Sequence, residues 1–192
     1  MTPTDVRLFI AINLPESERQ AIHQATAPLR AAARGVTWVA AECIHLTMKF
    51  LGEHPPEAVA PVRGALSEVA RRFQPMRLDV GGVGAFPHLR SPRIFWMGIA
   101  GDSKLELLHH DVELACEALG HEVDARAFRP HVTLGRAKRD MTAEEARSVA
   151  ALARAVRYRG SVDAATIDVM RSELSSQGPR YTVLAAVPLG VS

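Results

Sequence analysis

Cysteine, aromatic side chains and net charge are all scarce in this sequence. Cys43 and Cys116 are the two cysteines, too few for a disulfide framework or a zinc quartet, and they fit a reducing compartment. Aromatic residues make up 5% of the chain. A formal net charge of +2 excludes a broad basic track for nucleic acid, yet it leaves room for one anionic end group. No apolar run approaches the ~18 residues that a membrane span needs. The opening residues, Met1-Thr2-Pro3-Thr4-Asp5, carry no basic stretch leading into a signal sequence. A cytoplasmic monomer that does not engage membranes is expected. Neither His-Glu-x-x-His nor an aspartate cluster is present, so no metal and no cofactor is expected.

What the chain does hold is a short pattern written twice, His45-Leu46-Thr47-Met48 and His131-Val132-Thr133-Leu134. In a β-strand alternate side chains share a face. His and Thr are then presented together, while the apolar pair enters a core. With nine threonines and 47% hydrophobic residues, each histidine has roughly a 1% chance of opening such a pattern. Two copies by chance are rare.

Around these motifs the composition is that of a globular protein, with 192 residues, enough for one domain with a real core. Residues 7–14 read as a buried strand closed by Pro15. Pro15 and Ser17 open a helix that Gly35 stops, and Val36 to Val39 form a short strand. The first motif strand covers 44–51. A helix follows from Pro55-Pro56, and then a strand from Met76 to Val83 that runs into a Gly-rich loop (Gly81, Gly82, Gly84). Shifting the frame by 86 residues, the separation of His45 and His131, lays 8–10 on 94–96, the first helix on 103–120 and the second on 142–154. It also lays the strand at 76 on 162–169. Thr142 and Glu145 have the spacing of a capping box. This correspondence predicts an internal duplication: one domain over 1–192, built of two lobes (7–83 and 93–169) plus a C-terminal hairpin over 166–188.

Two histidines on facing strands suit general acid–base chemistry at a phosphate ester. One imidazole activates water and the other protonates the leaving oxygen, while threonine hydroxyls hold the phosphate oxygens. A regular strand puts Lys49 on the face of His45 and Thr47, and Arg129 lies two residues before His131; both are candidate contacts to an anion. Arg136, Lys138 and Arg139 follow the second motif, the last two reading as surface charge. Phe9, Phe95 and Trp96 read as core, with one of them free to stack a base at the cleft. Cys43 reads as a small buried residue and His109-His110 as helix surface.

The chain resembles the two-histidine (2H) phosphoesterases, and within them the LigT-like RNA 2',3'-cyclic phosphodiesterases, also called 2'-5' RNA ligases. The resemblance is carried by Arg7-Leu8-Phe9, His45 through Gly52, Pro92-Arg93 through Trp96, Phe128 through Leu134, and Ser172-Glu173-Leu174 with Gly178-Pro179-Arg180-Tyr181. It implies an α+β bilobal fold, with two pseudo-symmetric lobes of antiparallel sheet, helices outside and a central cleft. It also implies hydrolysis of a terminal ribose 2',3'-cyclic phosphate to a 2'-phosphate, on RNA 3' ends or small cyclic nucleotides. His45 matches the proton donor and His131 the proton acceptor, with Thr47 and Thr133 holding phosphate. Phe9, Ser172 and Tyr181 join Arg129 and Lys49 as candidate substrate contacts. Ser176 departs from the proline that relatives often carry in the last turn. Weak ATP-independent 2'-5' ligation would be the same chemistry reversed. The alternatives are a non-catalytic nucleotide-binding module, or a relative acting on 2',5'-oligoadenylate or a cyclic ADP-ribose phosphate.

Overall fold

In the computed structural model, which describes residues 5–175 and 178–191, the strands expected from the apolar runs join one antiparallel sheet. In chain order the elements are β1 (Val6–Asn13), α1 (Glu16–Ala25), α2 (Ala27–Ala32), β2 (Val36–Trp38), β3 (His45–His54), α3 (Val59–Ala70) and β4 (Met76–His88). They continue with β5 (Ser91–Ile99), α4 (Ser103–Glu117), β6 (His131–Ala137), α5 (Ala143–Ala155), β7 (Arg159–Ala164), β8 (Thr166–Ser175) and β9 (Gly178–Pro188). The strand order is β7-β4-β5-β6-β3-β1-β8-β9, with β2 added alongside β6. The two motif strands, β3 and β6, are neighbours at the middle of that order. Their partners β1 and β5, which the 86-residue offset superimposes, flank them symmetrically.

One face of the sheet is dry. Ile10, Ile12, Leu46, Met48, Val132 and Leu134 belong to a core cluster shared with Ile22, Leu29, Leu66, Leu108 and Val149 from the helices. The opposite face holds a small cluster of Phe9, Ala11 and Met170, with Tyr181 packed against it. Stripping apolar side chains from water drives the helices onto the first face and leaves the second open for a ligand.

The helices begin and end for local reasons. α5 opens on the expected capping box, with Thr142 and Glu145 satisfying each other's backbone N–H groups. α4 is capped by Asp102, whose carboxylate accepts from Lys104 N at 3.0 Å. The single helix expected from Pro15 to Gly35 is instead two, broken at Thr26. Pro28 has no N–H to continue the ladder. The buried Thr26 hydroxyl closes the first piece by donating to Ile22 O at 2.8 Å.

Two other expectations change. The Gly-rich stretch is strand, not loop: β4 runs to His88 and absorbs Gly82 (φ +74) as a bulge opposite β5. The strand expected over 162–169 divides at Ala165 into β7, which pairs with β4, and β8, which pairs with β1. Ser176 lies outside the described residues.

Bulges matter most in the motif strands. β1 pairs Ala11 with Thr47 but Ile10 with Lys49, so Met48 is the extra residue in β3. β5 pairs Trp96 with Thr133 but Phe95 with Gly135, so Leu134 is the extra residue in β6. Each bulge falls on the fourth residue of its motif, and Met48 and Lys49 are consequently both turned into the core, 3% and 5% exposed. There Lys49 Nζ meets Glu113 of α4 at 2.6 Å and also donates to Glu122 O at 2.7 Å. Glu113 in turn accepts from Asp124 N at 3.2 Å, which ties down the segment leading to the second motif.

Breaking this pair from one side leaves an uncompensated buried charge. Lys49→Met and Glu113→Leu are each expected to cost about 3–5 kcal/mol of stability. Urea denaturation of the two single variants and the double variant measures this, and the double is expected to be more stable than either single.

Candidate active site

β3 and β6 pair antiparallel through Leu46 and Val132, which are 1% and 0% exposed. With those two side chains pointing into the core, the residues on either side point into the open face. The antiparallel register then sets His45 across from Thr133 and Thr47 across from His131. Each imidazole thus has a threonine from the other strand beside it, and its own strand's threonine two residues along. On β3 the second contact is a hydrogen bond, His45 Nε2 to Thr47 Oγ1 at 3.1 Å.

Both rings are oriented in the same way. His45 Nδ1 lies 2.9 Å from Cys43 O, and His131 Nδ1 lies 2.6 Å from Arg129 O. A carbonyl only accepts, so Nδ1 carries the proton in each case. That leaves the unprotonated Nε2 of each ring as the nitrogen that takes or gives a proton, the one on His45 accepting from the Thr47 hydroxyl at 3.1 Å.

Aromatic walls surround each ring. Phe9 and Tyr181 flank His45 at centroid distances of 5.0 and 5.1 Å. Phe86 and Trp96 flank His131 at 5.1 and 6.3 Å. Gly84 is needed for the second wall, because a Cβ there would stand 2.3 Å from the Trp96 ring. Burial among these rings disfavours the imidazolium. It pushes His45 down to about 4, with a smaller contribution from the nearby His131 and against the help of the Cys43 carbonyl. His131 is also lowered, chiefly by burial and further by the Arg136 charge, although the Arg129 carbonyl opposes the shift. Both rings are therefore mainly neutral at pH 7 in the ligand-free protein.

His45, Thr47, His131 and Thr133 converge on the cleft, with Tyr181 as a wall. Ser172 lies half-buried on β8, paired to Arg7 on one side and Tyr181 on the other. Arg129 is exposed at the cleft rim and contributes its carbonyl to His131. Two expected contacts are corrected. Lys49 is not on the histidine face, because the bulge at Met48 turns it inward to Glu113. Phe9 is 2% exposed, its ring covered by His45, Phe50 and Tyr181, so it supports His45 and has no open face for a base.

The same bulges bring up residues that alternation missed. Counting past the extra residue, the next cleft-facing positions are Phe50, 63% exposed, and Arg136, whose charge acts on both His131 and Tyr181. Phe86 was also missed, since nothing in a Gly-rich stretch marks it as a neighbour of His131. Among the described residues no three His, Cys, Asp or Glu side chains gather as metal ligands would. None of the described helices is long and apolar enough to cross a membrane.

A family model described as the 2'-5' RNA ligase superfamily matches residues 14–175. A protein named RNA 2',3'-cyclic phosphodiesterase from Geobacillus stearothermophilus is 33% identical over 94% of this chain, which spans 56% of that protein's length. One of the same name from Archaeoglobus fulgidus is 37% identical over 70% of this chain and 74% of its own. Among solved structures, E. coli LigT complexed with 3'-AMP is similar at a TM-score of 0.71 and 29% identity, covering 96% of this chain and 98% of that one. The mixed helices and curled antiparallel sheet seen here are the fold of that structure.

The depressed His45 makes stability depend on pH in a definite direction. Between its ordinary value of 6.5 and its folded value of about 4, the unfolded chain binds a proton that the folded chain refuses. Stability is therefore full above pH 6.5 and falls as pH drops towards 4, by roughly 3 kcal/mol from this group. Urea denaturation at pH 7 and pH 4 is expected to show that loss in the wild type, and a smaller one in His45→Gln.

Proposed function

This chain is a member of the 2'-5' RNA ligase superfamily, and on that footing we propose that it hydrolyses terminal 2',3'-cyclic phosphates of RNA to 2'-phosphates by two-histidine acid–base catalysis. The observation that carries the reading is the matched pair of imidazoles, each anchored through Nδ1 and each presenting Nε2 to one cleft beside two threonines. The relatives' name, RNA 2',3'-cyclic phosphodiesterase, supplies the substrate class.

Water attacks the phosphorus while His131 Nε2 takes its proton. The bond from phosphorus to O3' breaks, and His45, entering the step as imidazolium, delivers the proton to O3'. The product is a 2'-phosphomonoester and a free 3'-hydroxyl. His45 ends neutral and His131 protonated, and exchange with solvent resets the pair. The division of roles follows the family resemblance. Thr47 and Thr133 donate to the non-bridging oxygens, where charge builds in the transition state. The negative phosphodiester between the rings favours protonation of His45 when substrate binds. Ligation of a 2'-5' bond is the same step with the 5'-hydroxyl of a second RNA in place of water: it loses its proton to His131 and bonds to phosphorus as O3' leaves with the proton from His45, and no nucleoside triphosphate is needed. The 86-residue correspondence of the two halves fits a duplicated ancestor in which each half brought one imidazole.

The test is 31P NMR of a short RNA ending in a 2',3'-cyclic phosphate, with EDTA present. Wild type is expected to give the 2'-phosphate, with losses of at least ~100-fold in His45→Ala and His131→Ala. Since the free enzyme must hold one ring protonated and the other neutral, and both are lowered, kcat/KM is expected to be bell-shaped in pH. Its maximum should lie on the acid side of neutrality. A 3'-phosphate product would reverse which oxygen leaves, and undiminished turnover in either variant would remove the mechanism.

A further inference from the structure

The cleft continues past His45 into a cavity of about 300 Å3 along β1, β8 and β9, at the small end of the range for ligand pockets. Its walls include Met170, Tyr181 and Val183, and beyond His45 its polar residues are Asn13, Arg19, Glu42, Thr166 and Asp168. Asp168 is 4% exposed. Asn13 Nδ2 donates to its Oδ2 at 2.6 Å and lies 3.3 Å from Met170 Sδ, so the carboxylate is held in place. The other oxygen, Oδ1, is buried without a hydrogen-bond partner among the described residues. Arg19 is held likewise, with Nη1 donating to Glu42 O at 2.8 Å. Its Nε–H is also buried and has no partner among the described residues. Two orphaned groups of opposite polarity beside one cavity are costly unless a ligand satisfies them.

The proposed reaction indicates which part of a ligand reaches them, and the inference rests on that reading. With His45 protonating O3', the ribose sits on the His45 side of the phosphate, and its base extends into this cavity. Walls of Met170, Val183 and the Tyr181 ring suit a flat heterocycle better than a hydroxylated sugar. A carboxylate only accepts hydrogen bonds and a guanidinium only donates. The matching base edge has an amine beside an unprotonated ring nitrogen, as in adenine and cytosine. Uracil and hypoxanthine invert both groups, with a carbonyl beside an N–H. The geometry points to a base-reading subsite in which Asp168 and Arg19, with Asn13 positioning the carboxylate, select adenine or cytosine at the 3'-terminal nucleotide.

Isothermal titration of the wild type with the 2'-monophosphates of cytidine and uridine, and of adenosine and inosine, tests this directly. The members of each pair are close in shape and opposite in hydrogen-bonding edge. The amine-bearing member is expected to bind at least ~10-fold tighter. The same order is expected in kcat/KM for the 2',3'-cyclic phosphates, carried by KM. In Asp168→Asn, checked for folding by circular dichroism, the ratio should collapse towards one. Equal affinities in the wild type overturn the subsite, as does a ratio that survives in the folded variant. The wild-type comparison decides the matter even where the variant fails to fold. Discriminating affinities without any turnover would keep the subsite and overturn the phosphodiesterase reading instead.

Discussion

Everything at the site depends on the pairing of Leu46 with Val132 across β3 and β6. Both side chains are fully buried, and hydrophobic burial rather than polar contact holds them there. Because a strand alternates every residue, a slip of one position in either strand would send that strand's histidine into the core and its apolar residue into the cleft. The register is thus fixed by the part of the motif that does no chemistry. Once it is set, the imidazole of each strand falls beside the threonine of the other without any loop having to place it. A site carried on two central strands, with helices packed behind them, starts out rigid.

The bulges at Met48 and Leu134 add a second layer to this arrangement. Each turns the strand by one residue just past its motif. On β3 this buries Lys49 against Glu113, and on β6 it buries Gly135, which sits so close to Val36 and Trp38 that a Cβ would clash. The following residues, Phe50 and Arg136, are delivered to the open face. The two halves place different chemistry at equivalent positions, an aromatic ring on one side and a guanidinium on the other. In the proposed reaction, a substrate with a charged phosphate and an asymmetric remainder meets a cleft that is symmetric at its centre and unlike at its two ends.

Much of this was legible in the sequence, and the limits have physical causes. The His-x-Thr-x pair shows because it needs only period-two alternation, and the helix at Thr142 shows because a capping box is local. Lys49 misled because a bulge has no compositional signature: a lysine on a strand next to a motif reads as a phosphate ligand until its carboxylate partner, 64 positions away, is seen. The glycines at 81, 82 and 84 suggested a loop, whereas one is a bulge and another makes room for Trp96. Phe86, Asp168 and Arg19 carried no signal, since their importance comes from which distant residues the sheet sets beside them. The burial that depresses both imidazoles is likewise a property of the folded walls, and it stabilises the neutral form at the expense of acid tolerance. In the proposed reaction an anionic substrate supplies the charge that the walls withhold.

The central claim is that the two imidazoles act as one unit on a single phosphate. Comparing kcat/KM for His45→Ala, His131→Ala and the double variant, on one 2',3'-cyclic nucleotide, tests it most directly. Groups that work as a unit are strongly non-additive, so the double variant is predicted to lie within roughly threefold of the worse single variant. Losses that multiply would mean that the histidines contribute independently, and would contradict the account.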